Sequence, residues 1–359
     1  MRLVFGRHLV EIDGSFPQVG TLAFGIVDRG TNVVEVRPTT VCALSCVFCS
    51  VNAGPGSRVR WVEYVVDVGA LLVALEEVVR FKGVDDVEVH IDGMGDPGNY
   101  PALAELVAGA KAIRGVALVS MQTRLFMLGE EGLRALASAG LDRLNVSIDA
   151  LDPELAKRLA GAPWYNVERV VELVKKALDL GINVVVSPVW IPGLNDGEMA
   201  KIARWAAEAG LGRGLTPVLI QKYVPHKRGR KVKVRPMGWG EFWRRLRELE
   251  RETGVPLVPR PGEFNIHRAP ELPKPYKVGE VVSVEVVERG IFKGEVLAVP
   301  VAKRGTAVWD RTLTVAVGRG AEELLGARVK VRILENEHNI YIAAPVGRRL
   351  PPQAHYSGE

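Results

Sequence analysis

Cys42, Cys46 and Cys49 are the three cysteines of this 359-residue chain, and they fall in one segment, Cys42-Ala-Leu-Ser-Cys46-Val-Phe-Cys49. A closed structural zinc site takes four Cys or His ligands, and the nearest histidines along the chain, His8 and His90, stand too far off to supply the fourth. Three thiolates suit a different object. They anchor three irons of a cubane iron–sulfur cluster and leave the fourth iron with an open coordination position. Chemistry at that iron is what the spacing predicts. Free cysteines also serve as small buried hydrophobes, but incidental thiols rarely gather in one short run and leave the rest of a chain empty.

The C-x3-C-x2-C spacing, with Phe48 before the last cysteine, resembles the signature of the radical S-adenosylmethionine (radical SAM) superfamily. The resemblance implies a 4Fe-4S cluster on Cys42, Cys46 and Cys49, with SAM bound at the unique iron through its amino and carboxylate groups. It further implies reductive cleavage of SAM to methionine and a 5′-deoxyadenosyl radical, which takes a hydrogen atom from the substrate, and an electron donor such as ferredoxin or flavodoxin. In such a scheme the cofactors carry the chemistry and the protein supplies position and exclusion.

Positioning falls to a run of alternating elements between Thr31 and Val258. Strand-like segments at Val33–Arg37, Val87–Ile91, Val116–Ser120, Leu144–Ile148, Val184–Ser187 and Leu215–Ile220 are separated by apolar residues at helical spacing, such as Leu71, Leu75 and Val78 or Val167, Val170, Val171 and Val174. Gly181 is placed to end the latter helix. A charged amphipathic helix follows, from about Gly240 to Thr253. Six β-α units predict an α/β fold, a parallel sheet covered by helices. The pattern is shared by open sheets and barrels, and the resemblance selects a partial (β/α)6, TIM-like barrel. In either architecture ligand sites gather at the carboxyl ends of the strands.

Residues suited to a ligand fall at those ends. Asp92-Gly93-Met94-Gly95-Asp96-Pro97 resembles the G-G-E-P segment that receives the SAM amino group in the superfamily. Gly93 and Gly95 permit close backbone approach, and Asp96 offers an anionic acceptor one methylene shorter than the usual Glu. As a bare string the same segment is a capped turn. Ser120 and Gln122, Ser147 and Asp149, and Asn195 match positions that contact SAM in the family. Asn195 and Asp196 equally suit the start of the next helix, and Asp152 before Pro153 reads as a helix cap. Gln221 and Lys222 are placed to face substrate.

Residues 1–30 read as an extension, with a strand from Thr21 to Arg29 and a turn at Gly30 making a β-hairpin on the barrel edge. The barrel proper spans 31–258. Residues 259–277 are proline-rich and read as a semi-rigid linker. Beyond it, five short β-branched runs within 278–347 predict a small antiparallel barrel of OB type. Its opening Val278-Gly279-Glu280-Val281 and its Asn336-Glu337-His338-Asn339 hairpin resemble a TRAM-like RNA-binding domain. Residues 348–359 read as a flexible tail. The basic run His226 to Arg235 should lie near the barrel mouth, where it suits a phosphate backbone.

Apolar residues make up 47% and charged residues 25% of the chain, with a net charge of +5, an ordinary globular composition. No apolar run is long enough to span a bilayer, and the first residues lack the apolar core of a signal peptide. Thiolate-held clusters suit a reducing compartment, so a cytoplasmic location is expected. The second cluster that methylthiotransferases of this superfamily hold with three further cysteines has no ligands here. The reading is therefore a single-cluster radical SAM enzyme that modifies RNA, either tRNA or rRNA. Its alternatives are a radical SAM enzyme on a small-molecule or protein substrate, and a non-catalytic iron–sulfur RNA-binding protein.

Overall fold

The computed structural model describes residues 2–347; the tail expected at 348–359 lies outside the described residues. β1 (Leu3–Val4) and β2 (Arg7–Ile12) form a hairpin, and β3 (Gly25–Asp28) turns through Gly30, at φ +71°, to run antiparallel to β4 (Val33–Arg37). The cysteine segment follows β4, and β5 (Val62–Val66) then pairs in parallel with β2. Next come α1 (Val68–Lys82), β6 (Val87–Ile91), α2 (Leu103–Ala112), β7 (Val116–Thr123), α3 (Glu130–Ser138), β8 (Arg143–Val146), α4 (Pro153–Ala160), α5 (Val167–Asp179) and β9 (Asn183–Val186).

These strands make a six-stranded sheet in the order β3-β4-β6-β7-β8-β9, parallel throughout except for β3. Val34, Val36, Val89, Ile91, Val119, Met121, Leu144, Val146, Val184 and Val186 are fully buried, as strands covered on both faces require. Each such side chain contributes roughly 1.5–3 kcal/mol. The helices between them start and stop on local signals. Asp67 caps α1 through the Ala70 amide, Asp152 caps α4 through Leu155, and Asn166 caps α5 through Arg169. Gly83 and Gly161 close α1 and α4 in the left-handed conformation.

The sixth unit departs from expectation. Instead of a strand over Leu215–Ile220, the chain makes a single parallel bridge between Val186 and Val218 and then a two-residue strand, β11 (Gln221–Lys222), paired with β10 (Val189–Trp190). Pro188 and Pro217 lack the amide protons that a continuous ladder needs. The Thr216 amide turns away to the Glu263 carboxylate. α6 (Asp196–Glu208) lies between β10 and β11, and α7 (Trp239–Thr253) ends this half of the molecule.

Residues 259–277 run as a docked strap. Asp28, buried, takes the Lys82 ammonium at 2.7 Å and the Leu272 amide at 2.7 Å, while Lys82 also reaches the Pro270 carbonyl. Past the strap, β12 (Val281–Arg289), β13 (Glu295–Pro300), β14 (Leu313–Ala316), β15 (Arg328–Glu335) and β16 (Ile342–Pro345) close a barrel in the order β12-β13-β14-β16-β15. All its pairings are antiparallel except β14 with β16. It has its own core, including Val284, Val286, Val296, Leu313, Val315, Val331 and Tyr341.

The small barrel is fastened to the rest of the chain by specific bonds. The Trp61 indole donates to the Gly290 carbonyl, the Tyr64 hydroxyl to the Arg289 carbonyl at 2.5 Å, and the Lys293 amide to the Val59 carbonyl at 2.9 Å. On the N-terminal side, Thr312 and Tyr341 donate amides to Val19 and Gly20. Gly20 sits at φ +123°, and a Cβ there would lie 2.3 Å from the Thr312 carbonyl oxygen, so the close approach needs glycine.

Candidate active site

The cysteines lie on the long loop between β4 and β5, and three sets of neighbours fix that loop. The Ser45 and Val47 amides donate to Ala160 and Leu159, satisfying carbonyls at the end of α4. Arg60, with a fully buried side chain, donates to the carbonyls of Thr40, Val51 and Met94 and pairs with Glu63 at 3.0 Å. One guanidinium thus joins the cysteine loop to the glycine segment after β6. From the loop after β11, Arg230 donates to the carbonyls of Cys46 and Ala53, and its amide donates to Cys49. Gly229 stacks so closely on this loop that a Cβ would lie 2.8 Å from the Ser50 carbonyl oxygen.

All three cysteines open on one cavity of about 280 Å³, together with Gly95, Asp96, Gln122, Arg124, Ser147 and Lys222. Among the described residues no three His, Cys, Asp or Glu side chains are set to share a single metal ion. A cluster that takes one cysteine per iron fits this donor set, and a mononuclear zinc site does not. Burial pushes the Cys42 thiol well above its ordinary range and holds Cys46 at about 11, against the pull of nearby Arg124. Iron held by these two thiols would have to displace their protons.

Arg124 organises the wall opposite. It pairs with Asp149 at 2.6 Å, donates to the Cys46 sulfur at 3.1 Å and to the Ser147 carbonyl, and lies over the Phe48 ring. Gln122 donates to the Ser147 hydroxyl at 2.7 Å, so both expected polar residues stand together on the cavity wall. Asp96 lines the cavity too, but its carboxylate already accepts from the Gly98 amide, the Thr123 hydroxyl and the Arg124 amide, at 2.7 to 3.0 Å. Burial raises its pKa while these donors oppose the shift. The capped turn and the cavity wall are thus one structure. Gly95 packs against Thr40 and Val41, where a Cβ would lie 2.4 Å from backbone atoms.

Four expected residues lie off this wall, Ser120, Asp149 and Asn195 behind it and Gly93 on a neighbouring chamber. Ser120 is fully buried, bonded to Glu88 at 2.5 Å and to His90 at 2.7 Å, in a network that includes Arg143. It shares a strand face with Gln122, but two residues at about 3.3 Å each set it roughly 7 Å deeper. Asp149 accepts the Val189 amide at 2.8 Å besides pairing with Arg124. Asn195 is buried, accepts the Ile191 amide and donates to the Asp149 and Val189 carbonyls. It holds the β10–α6 turn together and does not cap α6.

A second, larger cavity of about 830 Å³ adjoins the first, and Ser50, Val51, Asp92, Val224 and His226 line both. Gly93 faces this chamber. Its walls come from the N-terminal segment (Thr21, Leu22), the six-stranded partial barrel, which is the large barrel of the chain (Arg37, Met94), and the small barrel (Phe292, Leu297, Thr314). Arg228, over the Phe292 ring and ion-paired with buried Glu295, spans the two barrels. The basic run is therefore split. Arg228 and Arg230 are structural, whereas Lys227, Lys231, Lys233 and Arg235 are exposed. Sequence reasoning missed Arg60, Arg124 and Asp92, since an isolated Arg or Asp carries no local signal of its partners.

Residues 36–206 match the sequence profile of the Radical SAM superfamily. The chain is 34% identical over 358 residues to MJ0103 of Methanocaldococcus jannaschii, an uncharacterized protein, covering 94% of this chain and 80% of the relative. It is also 30% identical over 188 residues to the GTP 3′,8-cyclase of Aquifex aeolicus, covering 52% of this chain and 56% of that enzyme. The chain thus spans about half the length of the cyclases it matches. A solved structure of SuiB from Streptococcus suis, bound to S-adenosylmethionine, aligns with a TM-score of 0.46 at 15% identity, over 68% of this chain and 48% of that one. No helix among the described residues is long and apolar enough to cross a membrane.

Proposed function

This chain belongs to the radical SAM superfamily, an enzyme superfamily whose cofactors are a 4Fe-4S cluster and SAM, and we propose that it acts on a compact substrate held in the chamber between its two barrels. When bound, the reduced cluster supplies the electron that cleaves SAM and so the 5′-deoxyadenosyl radical. Cys42, Cys46 and Cys49 are assigned to the cluster. Gly95, Asp96, Gln122 and Ser147 are assigned to SAM, with Arg124 fixing the Cys46 and Ser147 sides of the wall. Ser120, Asp149 and Asn195 act one step back, by holding the strands and turns that carry these residues. Gly93 belongs to the substrate side.

The observation that carries this reading is the shared wall at Ser50, Val51, Asp92, Val224 and His226. A substrate in the larger chamber would lie directly beside the SAM cavity, across the residues common to both. A chamber of about 830 Å³ matches small-molecule sites. The small barrel's strand order supports an OB-type reading, and the β12–β13 loop with the β13–β14 face, which OB folds use for oligonucleotides, is here turned onto the large barrel. In this reading the domain is a wall of the substrate chamber. The GTP 3′,8-cyclase relatives, named for a small-molecule reaction, agree with it.

An RNA substrate is the second reading, favoured by exposed Lys231, Lys233 and Arg235 beside the half-exposed pair Trp239 and Trp243, whose rings stack at 6.5 Å. Anaerobic reconstitution with iron and sulfide, reduction with SAM, and quantification of 5′-deoxyadenosine separate the readings. Stimulation by a low-molecular-weight cell extract is the expected result. Stimulation by total RNA alone would move the substrate to RNA, and a loaded cluster that leaves SAM intact would make the protein non-catalytic.

A further inference from the structure

The polar groups of the large chamber are unevenly satisfied. Arg37 is buried and lines the chamber; its two terminal nitrogens are used, on the Leu22 carbonyl at 2.7 Å and on Glu35 at 2.8 Å, while its buried Nε has no hydrogen-bond partner. Arg29, also on the wall, shares the same Glu35 at 2.6 Å. Two guanidinium groups thus divide one carboxylate, and Asp92 on the same wall and Glu337 act on Arg29 as further acids. Exposed Lys227, on the loop that forms another side of the chamber, makes no ion pair among the described residues. On the small barrel, the Glu295 Oε2 atom is buried without a hydrogen-bond partner although the carboxylate pairs with Arg228. Buried polar atoms without partners are rare in folded proteins because each costs about 1–3 kcal/mol. Both atoms belong to residues of one chamber wall, one of them a cationic donor, and mark that wall as incompletely paired.

Resting on the proposed chamber as substrate site, we propose that the substrate is a small organic anion, its carboxylate or phosphate seated against Arg37, Arg29 and Lys227. Asp92 and Glu295 take its hydrogen-bond donors, and Ile291, Phe292 and Leu297 take its apolar body. Charge-assisted bonds to arginine orient such a group, so the anion acts as a handle that sets which C–H bond faces the wall shared with the SAM cavity.

The test is titration calorimetry of the reconstituted full chain, with SAM present, against inorganic phosphate, pyrophosphate and citrate at matched ionic strength. A single-stranded RNA decamer forms a further arm. Saturable binding of at least one small anion is expected, weakened about tenfold in Arg37→Gln and at least threefold in Lys227→Glu, and unchanged in Lys175→Ala on a distant exposed face. Lys227 is exposed, so its variant reports even where Arg37→Gln fails to fold. Absence of saturable binding, or equal binding by wild type and Lys227→Glu, overturns the proposal. RNA binding that is lost in Lys227→Glu and not displaced by the small anions overturns it in favour of a polynucleotide phosphate. Formation of 5′-deoxyadenosine by the wild type without added substrate is read separately, so a failure of the anion site is distinguishable from a failure of radical chemistry.

Discussion

The two cavities at the barrel mouth are built on opposite principles. On the wall of the smaller one the polar side chains engage each other: Asp96 holds three donors, Gln122 holds Ser147, and Arg124 pairs with Asp149 behind the wall, where Asp149 Oδ2 has that ion pair and no hydrogen bond. In the larger one Arg37 and Glu295 keep unpaired atoms, and Lys227 has no counter-charge among the described residues. A wall finished in the absence of ligand is preorganised and costs little to bind against. A wall left open derives its last bonds from the ligand. That difference accords with the proposal that the small cavity takes the cofactors of the superfamily and the large one the substrate.

The largest effect comes from the thiols. Replacing Cys42, Cys46 or Cys49 with Ala should abolish both cluster loading, read by iron and sulfide content, and 5′-deoxyadenosine formation, while the small barrel stays folded by its own core. Turnover surviving in such a variant would overturn the assignment. Arg124→Gln should be next, since removing one partner of a buried ion pair leaves Asp149 uncompensated at a cost of about 3 kcal/mol. The midpoint of thermal unfolding should fall by roughly 5 °C or more, whereas an unchanged midpoint would show that the small-cavity wall is not self-supporting.

Glu35 tests the larger cavity through pH. Burial alone would raise its carboxyl, but Arg37 and Arg29 outweigh that and hold it at about 2 rather than 4.5. Ionised Glu35 therefore stabilises the fold above about pH 4.5, and that contribution is lost as pH falls toward 2. Glu35→Gln should lower stability at neutral pH by on the order of 2 kcal/mol and flatten the acid limb of the stability curve. An acid limb identical to wild type would mean the two arginines are not held by this carboxylate. The smallest effect belongs to Ser147→Ala, which removes one partner of Gln122 and should weaken SAM binding about fivefold, or about 1 kcal/mol. Unaltered SAM affinity would take Ser147 out of the cofactor wall.

The cysteine motif was legible because its ligands are neighbours in sequence, and the Asp96 turn because a cap needs only three residues. Gln122 and Ser147 were legible as strand ends. Ser120 was harder to read: the alternation of a strand reports which face a residue takes, but its depth below the rim depends on register with β6 and β8. Arg60 and Arg124 were invisible for a related reason, since their partners stand 34 and 78 residues away in the chain, at Met94 and Cys46. The broken sixth strand was written in Pro188 and Pro217, whose missing amide protons outweigh the β-branched pattern around them.

The sequence alone determined the three-cysteine motif, the β-α alternation, the Asp152 cap and the five strands of the small barrel, because spacing, capping and periodicity are local properties of the chain. Only the tertiary structure decided that the small barrel turns its β13–β14 face onto the large one, that Arg230 braces the cysteine loop while Arg228 joins the two barrels, and that a chamber opens where three segments meet. Those features rest on contacts between residues hundreds of positions apart, such as Tyr64 with Arg289 and Thr312 with Pro17. Their energies depend on shape and burial that exist only once the chain has closed on itself.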